Sequence, residues 1–341
     1  MSAARFKKFL GPLKWVFALA LLYFVLRSGK IDFGQLRVFV KSPTVGLFCC
    51  ALTFFWYGIC FLRWKILLKS QQIIVPFRTV FHLGMLGQFF QTFMPGTVGA
   101  DLAKALYIGK RYPAQKLKAI FSVVVDRGVG LYAILLLGAL AFTMVGSHLS
   151  EVKHPLVHVI RSLGYLLTAV SLTGMIFVLF MPLLGTLLRS LGRRWPGFPS
   201  QLRRPLRLVK QVVEQYSNKT PAIAASIGLS LVTHSLAILM LYVIAVKMFG
   251  PMPWGTLDLP RFVLAASLGL VVMALPISPN GLGVGQAAFA SIFTALGVGN
   301  ASFGASIVTA FQLVTLLVNL SGFVFFATHK QEVAEFESQA R

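Results

Sequence analysis

Gly87-Gln88-Phe89-Phe90-Gln91-Thr92-Phe93-Met94-Pro95-Gly96-Thr97-Val98-Gly99-Ala100-Asp101-Leu102-Ala103-Lys104 is the stretch on which the reading of this chain turns. Its surroundings are strongly apolar, yet it breaks the rules of an apolar helix. Pro95, Gly96 and Gly99 fall within five residues, a density of breakers that a continuous helix does not tolerate. Asp101 and Lys104 then follow at helical spacing. Irregular backbone at membrane depth survives only where it is buried in protein or lines a wet cavity. The spacing therefore predicts a half-helix, a turn, and a second half-helix whose start faces a polar site. An ordinary interhelical loop followed by a helix N-terminus is the competing reading.

The composition says what those surroundings are. Of 341 residues, 57% are hydrophobic and only 12% charged, whereas soluble domains are near half apolar and about a quarter charged. The apolar runs are long and do not alternate, which predicts an all-α polytopic membrane protein and not a barrel. The net charge of +23 reflects scarce acids, since Asp+Glu is 9. Basic cytoplasmic loops facing anionic lipid account for such a balance. No soluble basic domain is present to bind nucleic acid. Cys49, Cys50 and Cys60 share one apolar span and read as small buried hydrophobes without disulfide or metal spacing. Arg5, Lys7, Lys8 and Lys14 precede an apolar run with no small-residue cleavage site, so that run reads as an uncleaved first span.

Taken in order, the apolar runs predict six full spans, at about 13–27, 43–62, 119–145, 163–184, 221–248 and 301–328. Residues 31–42 read as a short interfacial helix. The second span closes at Arg63, Trp64 and Lys65, and Arg63, Lys65, Lys69 and Arg78 make an all-basic loop. The segment 79–93 amounts to roughly 22 Å of helix, short of the roughly 30 Å hydrocarbon core. After the break, 99–109 runs into Lys110, Arg111, Lys116 and Lys118. Both flanks are basic, so both fall on the cytoplasmic side, and the hairpin between them is expected to be re-entrant. The loop 146–161 is mixed in charge and is placed outside. Its His154 and His158 are four apart, as helical zinc ligands can be, but no carboxylate or Cys completes a set, and no metal is expected. Segment 185–220 carries Arg189, Arg193, Arg194, Arg203, Arg204, Arg207, Lys210 and Lys219 against Glu214. It reads as a basic cytoplasmic amphipathic segment on the membrane, with a plain solvated loop as the alternative. A cytoplasmic tail, 331–341, follows the last span.

A second break repeats the first. The short segment 261–275 ends in Pro276-Ile277-Ser278-Pro279-Asn280-Gly281-Leu282-Gly283-Val284-Gly285-Gln286, and a short half-helix over 284–296 follows. Pro95-x-x-x-Gly99 and Pro279-x-x-x-Gly283 share their spacing, and each precedes a polar residue at a helix start, Asp101 and Gln286. Two Gly/Pro-interrupted segments in matching places point to a transporter site between repeats. Loop charge then gives two halves, about 1–160 and 161–330 of a single membrane domain 1–341, of opposite orientation: an inverted-topology repeat. If 261–275 and 284–296 each cross, the repeat fails. Pro95, Pro276, Pro279, Gly281 and Gly283 are the hinge positions on this reading.

Three motifs carry a family resemblance. Met94-Pro95-Gly96-Thr97-Val98-Gly99-Ala100-Asp101-Leu102-Ala103-Lys104, Val125-Asp126-Arg127-Gly128-Val129-Gly130 and Leu275 to Gln286 resemble the signature segments of the membrane region of lysylphosphatidylglycerol synthases, also called the flippase-like family. Lys104 stands where that family usually has Arg, Asn280 where it has Gly, and Gln286 where it has Glu; the last change removes a carboxylate that would bind a cation or proton. The resemblance implies lipid handling: moving an aminoacylated phospholipid, or another phospholipid or polyprenyl-phosphate-linked lipid with a modified head group, between leaflets. The soluble aminoacyl-transferring domain of some members is expected to be absent, because 13 residues follow the last span.

Asp101 and Asp126 are the acids placed in apolar surroundings beside breaks, and an ionisable group there faces a cavity or a partner. Lys104, Arg127 and His234 are the available cations. Lys104 and Arg127, with the helix start near Gly96 and Gly99, form the expected lipid-phosphate site, because a helix N-terminus offers free N–H groups and partial positive charge. Asp101, Asp126, His234, Gln286, Asn280 and Ser278 are the expected polar cavity, in which Asp101 and Asp126 orient the two cations or meet a cationic head group. A structural Asp126-Arg127 pair and a core His234 are the plainer alternatives. No Ser/His/Asp set, paired metal carboxylates or phosphatase-like pattern is found, so no catalytic residue and no cofactor are expected. A membrane-embedded lipid-modifying enzyme and an accessory lipid-binding subunit stand as alternatives. The expected partners are membrane lipids and an anionic lipid surface on the cytoplasmic side, with a homodimer left open. The expected location is the plasma membrane, the bacterial inner membrane, with both termini cytoplasmic.

Overall fold

Helix starts and stops along the chain follow its capping and turn chemistry. In the computed structural model, residues 31–92, 94, 98–151, 154–191, 215–251 and 258–328 are described. The expected first span, the tail 331–341, residues 192–214 of the basic segment, the hinge residue Pro95 and the expected phosphate-site residue Gly96 lie outside them. Asp32 opens α1 (Phe33–Val40) by accepting from the Gln35 amide at 3.0 Å, a side-chain N-cap. Pro43 begins α2 (Pro43–Ser70), where a missing N–H costs nothing. Gln72, with φ +65°, turns the chain after it. Then come α3 (Phe77–Gln91), α4 (Val98–Arg111), α5 (Lys116–Val145) and α6 (Leu156–Leu191). The second half continues with α7 (Thr220–Phe249), α8 (Asp258–Ala274), α9 (Val284–Ala295) and α10 (Ala301–Thr328). Two short 3-10 turns, Pro113–Gln115 and His148–Glu151, join the longer helices. Among the described residues there is no strand.

Helices α2, α5, α6, α7 and α10 are each long and apolar enough to cross a membrane. They fall on the second to sixth predicted spans. Two boundaries differ. The second span does not close at Arg63: α2 continues to Ser70, and Arg63 and Trp64 are buried. The run Ile66-Leu67-Leu68 keeps the helix going with apolar side chains packed inside, and the charge of Arg63 is met by partners within the protein. Helix α6 starts before and ends after 163–184, so the beginning of the expected 185–220 segment is still helix. Its outward residues, such as Leu172, Leu179 and Leu183, are exposed and apolar, as suits a lipid-facing surface.

The four short helices form two antiparallel pairs. Helices α3 and α4 pack together across the first break. Their approach is close: a Cβ at Gly99 would lie 2.9 Å from the Phe90 carbonyl oxygen and from Met94 Cβ. Helices α8 and α9 pack across the second break, with Phe262 and Phe293 edge to face at 5.4 Å. Each pair is wedged against both long helices that end the two halves. Helix α3 lies on α10 and α4 on α5; α8 lies on α5 and α9 on α10. Helices α2 and α7 pack against each other at the centre. The largest apolar core joins α2, α5, α7, α8, α9 and α10, and a second one joins α2 to α3, α4 and α5.

Candidate functional site

Asp126 is the pivot of the buried charges. It stands on α5, ten residues into the helix and next to Arg127, and is only 2% exposed. Arg63 of α2 reaches it with Nε 2.7 Å from Oδ1, and the same guanidinium donates to Ser230 Oγ of α7 at 2.8 Å. Lys104 of α4 sits on the other carboxylate oxygen, Nζ to Oδ2 3.6 Å. The Lys104 ammonium also lies over the rings of Trp64 and Phe61, 5.3 and 5.8 Å from their centroids, an arrangement that favours a desolvated cation. Trp64 is itself held by Nε1 donating to Ser122 Oγ at 3.1 Å. One carboxylate thus gathers a cation from each of two helices. Burying a single charge there without such partners would cost several kcal/mol, roughly 3–5 when one member of a buried pair is removed.

The neighbouring pair is looser. Arg127 Nε lies 3.7 Å from Asp101 Oδ2, with the two side chains 31% and 26% exposed. Arg127 also donates through NH2 to the carbonyl of Ala274 at 3.3 Å. That carbonyl belongs to the last residue of α8, where helix C-terminal oxygens lack intrahelical donors and carry partial negative charge. Arg127 therefore touches the start of the helix after the first break and the end of the helix before the second.

A cavity of about 220 Å³ opens between these residues. Arg63, Lys104, Arg127, Asp101 and Asp126 all line it. Three cations against two carboxylates leave a formal charge of +1 on its charged wall. Gln88 and Gln91 of α3, His234 of α7, Asn280 at the second break and Thr315 of α10 line it as well. His234 Nε2 donates to the Gly130 carbonyl at 2.9 Å. Among the described residues no group of three or more His, Cys, Asp and Glu side chains is arranged to hold a metal ion.

The second break is built from backbone that few residues adopt. Asn280 has φ +48°, and Gly281 and Gly283 have φ +70° and +77°. Asn is the side chain most at ease in that left-handed region after Gly, which accounts for Asn280 at a position where a Gly would also fit. Gln286 does not reach the cavity. It turns back: Oε1 accepts from the Gly283 amide at 2.7 Å, and Nε2 donates to Gln312 Oε1 at 2.6 Å. Gln312 in turn donates to the Asn280 carbonyl at 3.2 Å. This neutral relay ties the turn to α10. Ser278 is also buried away from the cavity wall, and its hydroxyl has no hydrogen-bond partner among the described residues. Gly99 is spent on helix–helix contact and does not line the cavity.

Of the residues singled out from sequence, Asp101, Lys104, Asp126, Arg127, His234 and Asn280 meet around one space, while Gln286, Ser278 and Gly99 do not line it. Sequence reasoning misses Arg63 as a site residue, because it places that base in a loop. A signal for it exists: Arg63 is followed at once by Trp64, and Ile66-Leu67-Leu68 continues the apolar run. Gln88 and Gln91 belong to the decisive stretch, but nothing local marks them as cavity residues. No curated protein and no solved structure matches the chain. Residues 13–322 match the family model described as the lysylphosphatidylglycerol synthase TM region, and the chain, an all-α multi-pass membrane protein, belongs to that family.

Proposed function

We propose that the protein moves a lipid with a phosphate-bearing head group between the two leaflets. The observation that carries this reading is the cavity with one cation in excess, bordered by the ends of two interrupted helix pairs. Charges inside a membrane protein face a cavity or pair with one another, and here they do both. Lys104 and Arg127 contact the phosphate, assisted by the free N–H groups at the start of α4. Asp126, itself fixed by Arg63, holds Lys104 in place. The acyl chains stay in the bilayer while the head group passes through.

The membrane placement belongs to the same proposal. At about 1.5 Å per residue the short helices run from roughly 18 to 26 Å, less than the roughly 30 Å core. Each pair dips in and returns. The packing supports an inverted repeat, because exchanging the halves maps one set of contacts onto the other. The pair α3/α4 against α10 and α5 corresponds to α8/α9 against α5 and α10, and α2 against α7 corresponds to itself. The basic connections then lie on the cytoplasmic side of a plasma membrane.

Reconstitution into vesicles with a tail-labelled fluorescent phospholipid tests the reading. A quencher that cannot enter should extinguish label beyond the outer-leaflet share when the protein is present. Lys104→Ala and Arg127→Ala should each slow that loss by about 10- to 100-fold, the value of a charge-assisted hydrogen bond. Wild-type rates in both variants, or no movement with the intact protein, overturn it.

A further inference from the structure

The charges and polar groups that line the cavity specify the head group. Both carboxylates are already engaged. Asp126 is held by Arg63 at 2.7 Å and Lys104 at 3.6 Å, and Asp101 by Arg127 at 3.7 Å. Among the described lining residues there is no further acid. A head group that carries its own ammonium would therefore find a net positive site with no free carboxylate. The excess of one formal charge suits one phosphodiester, which is a monoanion. A phosphomonoester or diphosphate would bring more charge than the wall compensates, at a high cost inside a membrane.

Neutral polar side chains complete the lining. The side-chain amides of Gln88, only 9% exposed, and of Gln91 line the cavity. His234 donates Nε2–H to the Gly130 carbonyl, so as a neutral ring it offers Nδ1 as an acceptor. Amides that both donate and accept, beside an imidazole acceptor, match hydroxyl groups.

Resting on the transport reading above, we infer that the cargo is a lipid with a single phosphodiester charge and an uncharged, hydroxyl-bearing head group, and not an aminoacylated or multiply charged one. Lys104 and Arg127 take the phosphate, and Gln88, Gln91 and His234 take the hydroxyls.

Four tail-labelled lipids with identical acyl chains test this in the same vesicles: phosphatidylglycerol, phosphatidylmethanol, lysyl-phosphatidylglycerol and phosphatidic acid. Phosphatidylglycerol should move at least about 10-fold faster than each of the others, one lost hydrogen-bonding or charge match being worth that factor. His234→Leu should bring phosphatidylglycerol down to the phosphatidylmethanol rate. Asp101→Asn, which leaves a formal charge of +2, should raise phosphatidic acid relative to phosphatidylglycerol. Equal or faster movement of the lysyl ester or of phosphatidic acid by the unaltered protein overturns the charge assignment. Equal rates for phosphatidylglycerol and phosphatidylmethanol overturn the hydroxyl assignment. If no lipid moves, transport itself falls. Native mass spectrometry of the lipids retained by the purified protein then decides the head-group class separately: the same ranking upholds it, and retention of the lysyl ester or phosphatidic acid over phosphatidylglycerol overturns it.

Discussion

Arg63 shows how a buried charge is kept in a membrane protein. The residue is 7% exposed, and its guanidinium spends donors on Asp126 and Ser230. Arg63→Met should therefore destabilise the protein by about 3–5 kcal/mol, because Asp126 is left short of a partner. Replacing both members, Arg63→Met with Asp126→Leu, should cost less than the sum of the two single changes, read as melting midpoints in one detergent. Additive losses would mean that the two do not act as a pair. Asp101, Lys104, Asp126 and Arg127 are legible one by one, since each is ionisable in or beside an apolar run. Arg63 is not, because a base at the end of a 20-residue apolar window looks the same whether the helix stops or continues. Its partners lie 63 and 167 residues away in sequence, and local pattern carries no trace of them.

At the scale of elements, the two breaks are legible because Pro and Gly act through local backbone rules. Their packing is not. Nothing in the sequence alone shows that Gly99 is used for contact with α3, or that Gln286 bonds Gln312 and leaves the cavity alone. The turn at 280–283 gives a clean test. Gly281 has φ +70°, so Gly281→Ala should cost about 1–2 kcal/mol from backbone strain alone. Asn280→Gly should cost less than about 0.5 kcal/mol, since Gly occupies that region freely. Thermal unfolding of the two variants side by side checks the pair of values. Equal losses would show that the turn is not held in the left-handed conformation.

At the scale of the molecule, the placement of spans follows from hydropathy and length, and five of the six expected spans coincide with long apolar helices. The remaining one, at about 13–27, lies outside the described residues. What charge patterning cannot reveal is which helices touch. The exchange of contacts between halves, with α2 and α7 at its centre, emerges only from the packed chain. Arg127 reaches Asp101 at the start of α4 and the Ala274 carbonyl at the end of α8, so the ends of both helix pairs border one charged chamber. The decisive measurement is a structure of the protein in a lipid nanodisc, made from a phosphodiester lipid brominated next to its head group. A phosphate should appear within roughly 3 Å of Lys104 Nζ or the Arg127 guanidinium, the distance of a charge-assisted hydrogen bond, with both short helix pairs turning back inside the bilayer. Phosphates confined to the two membrane surfaces, with either pair crossing completely, would contradict it.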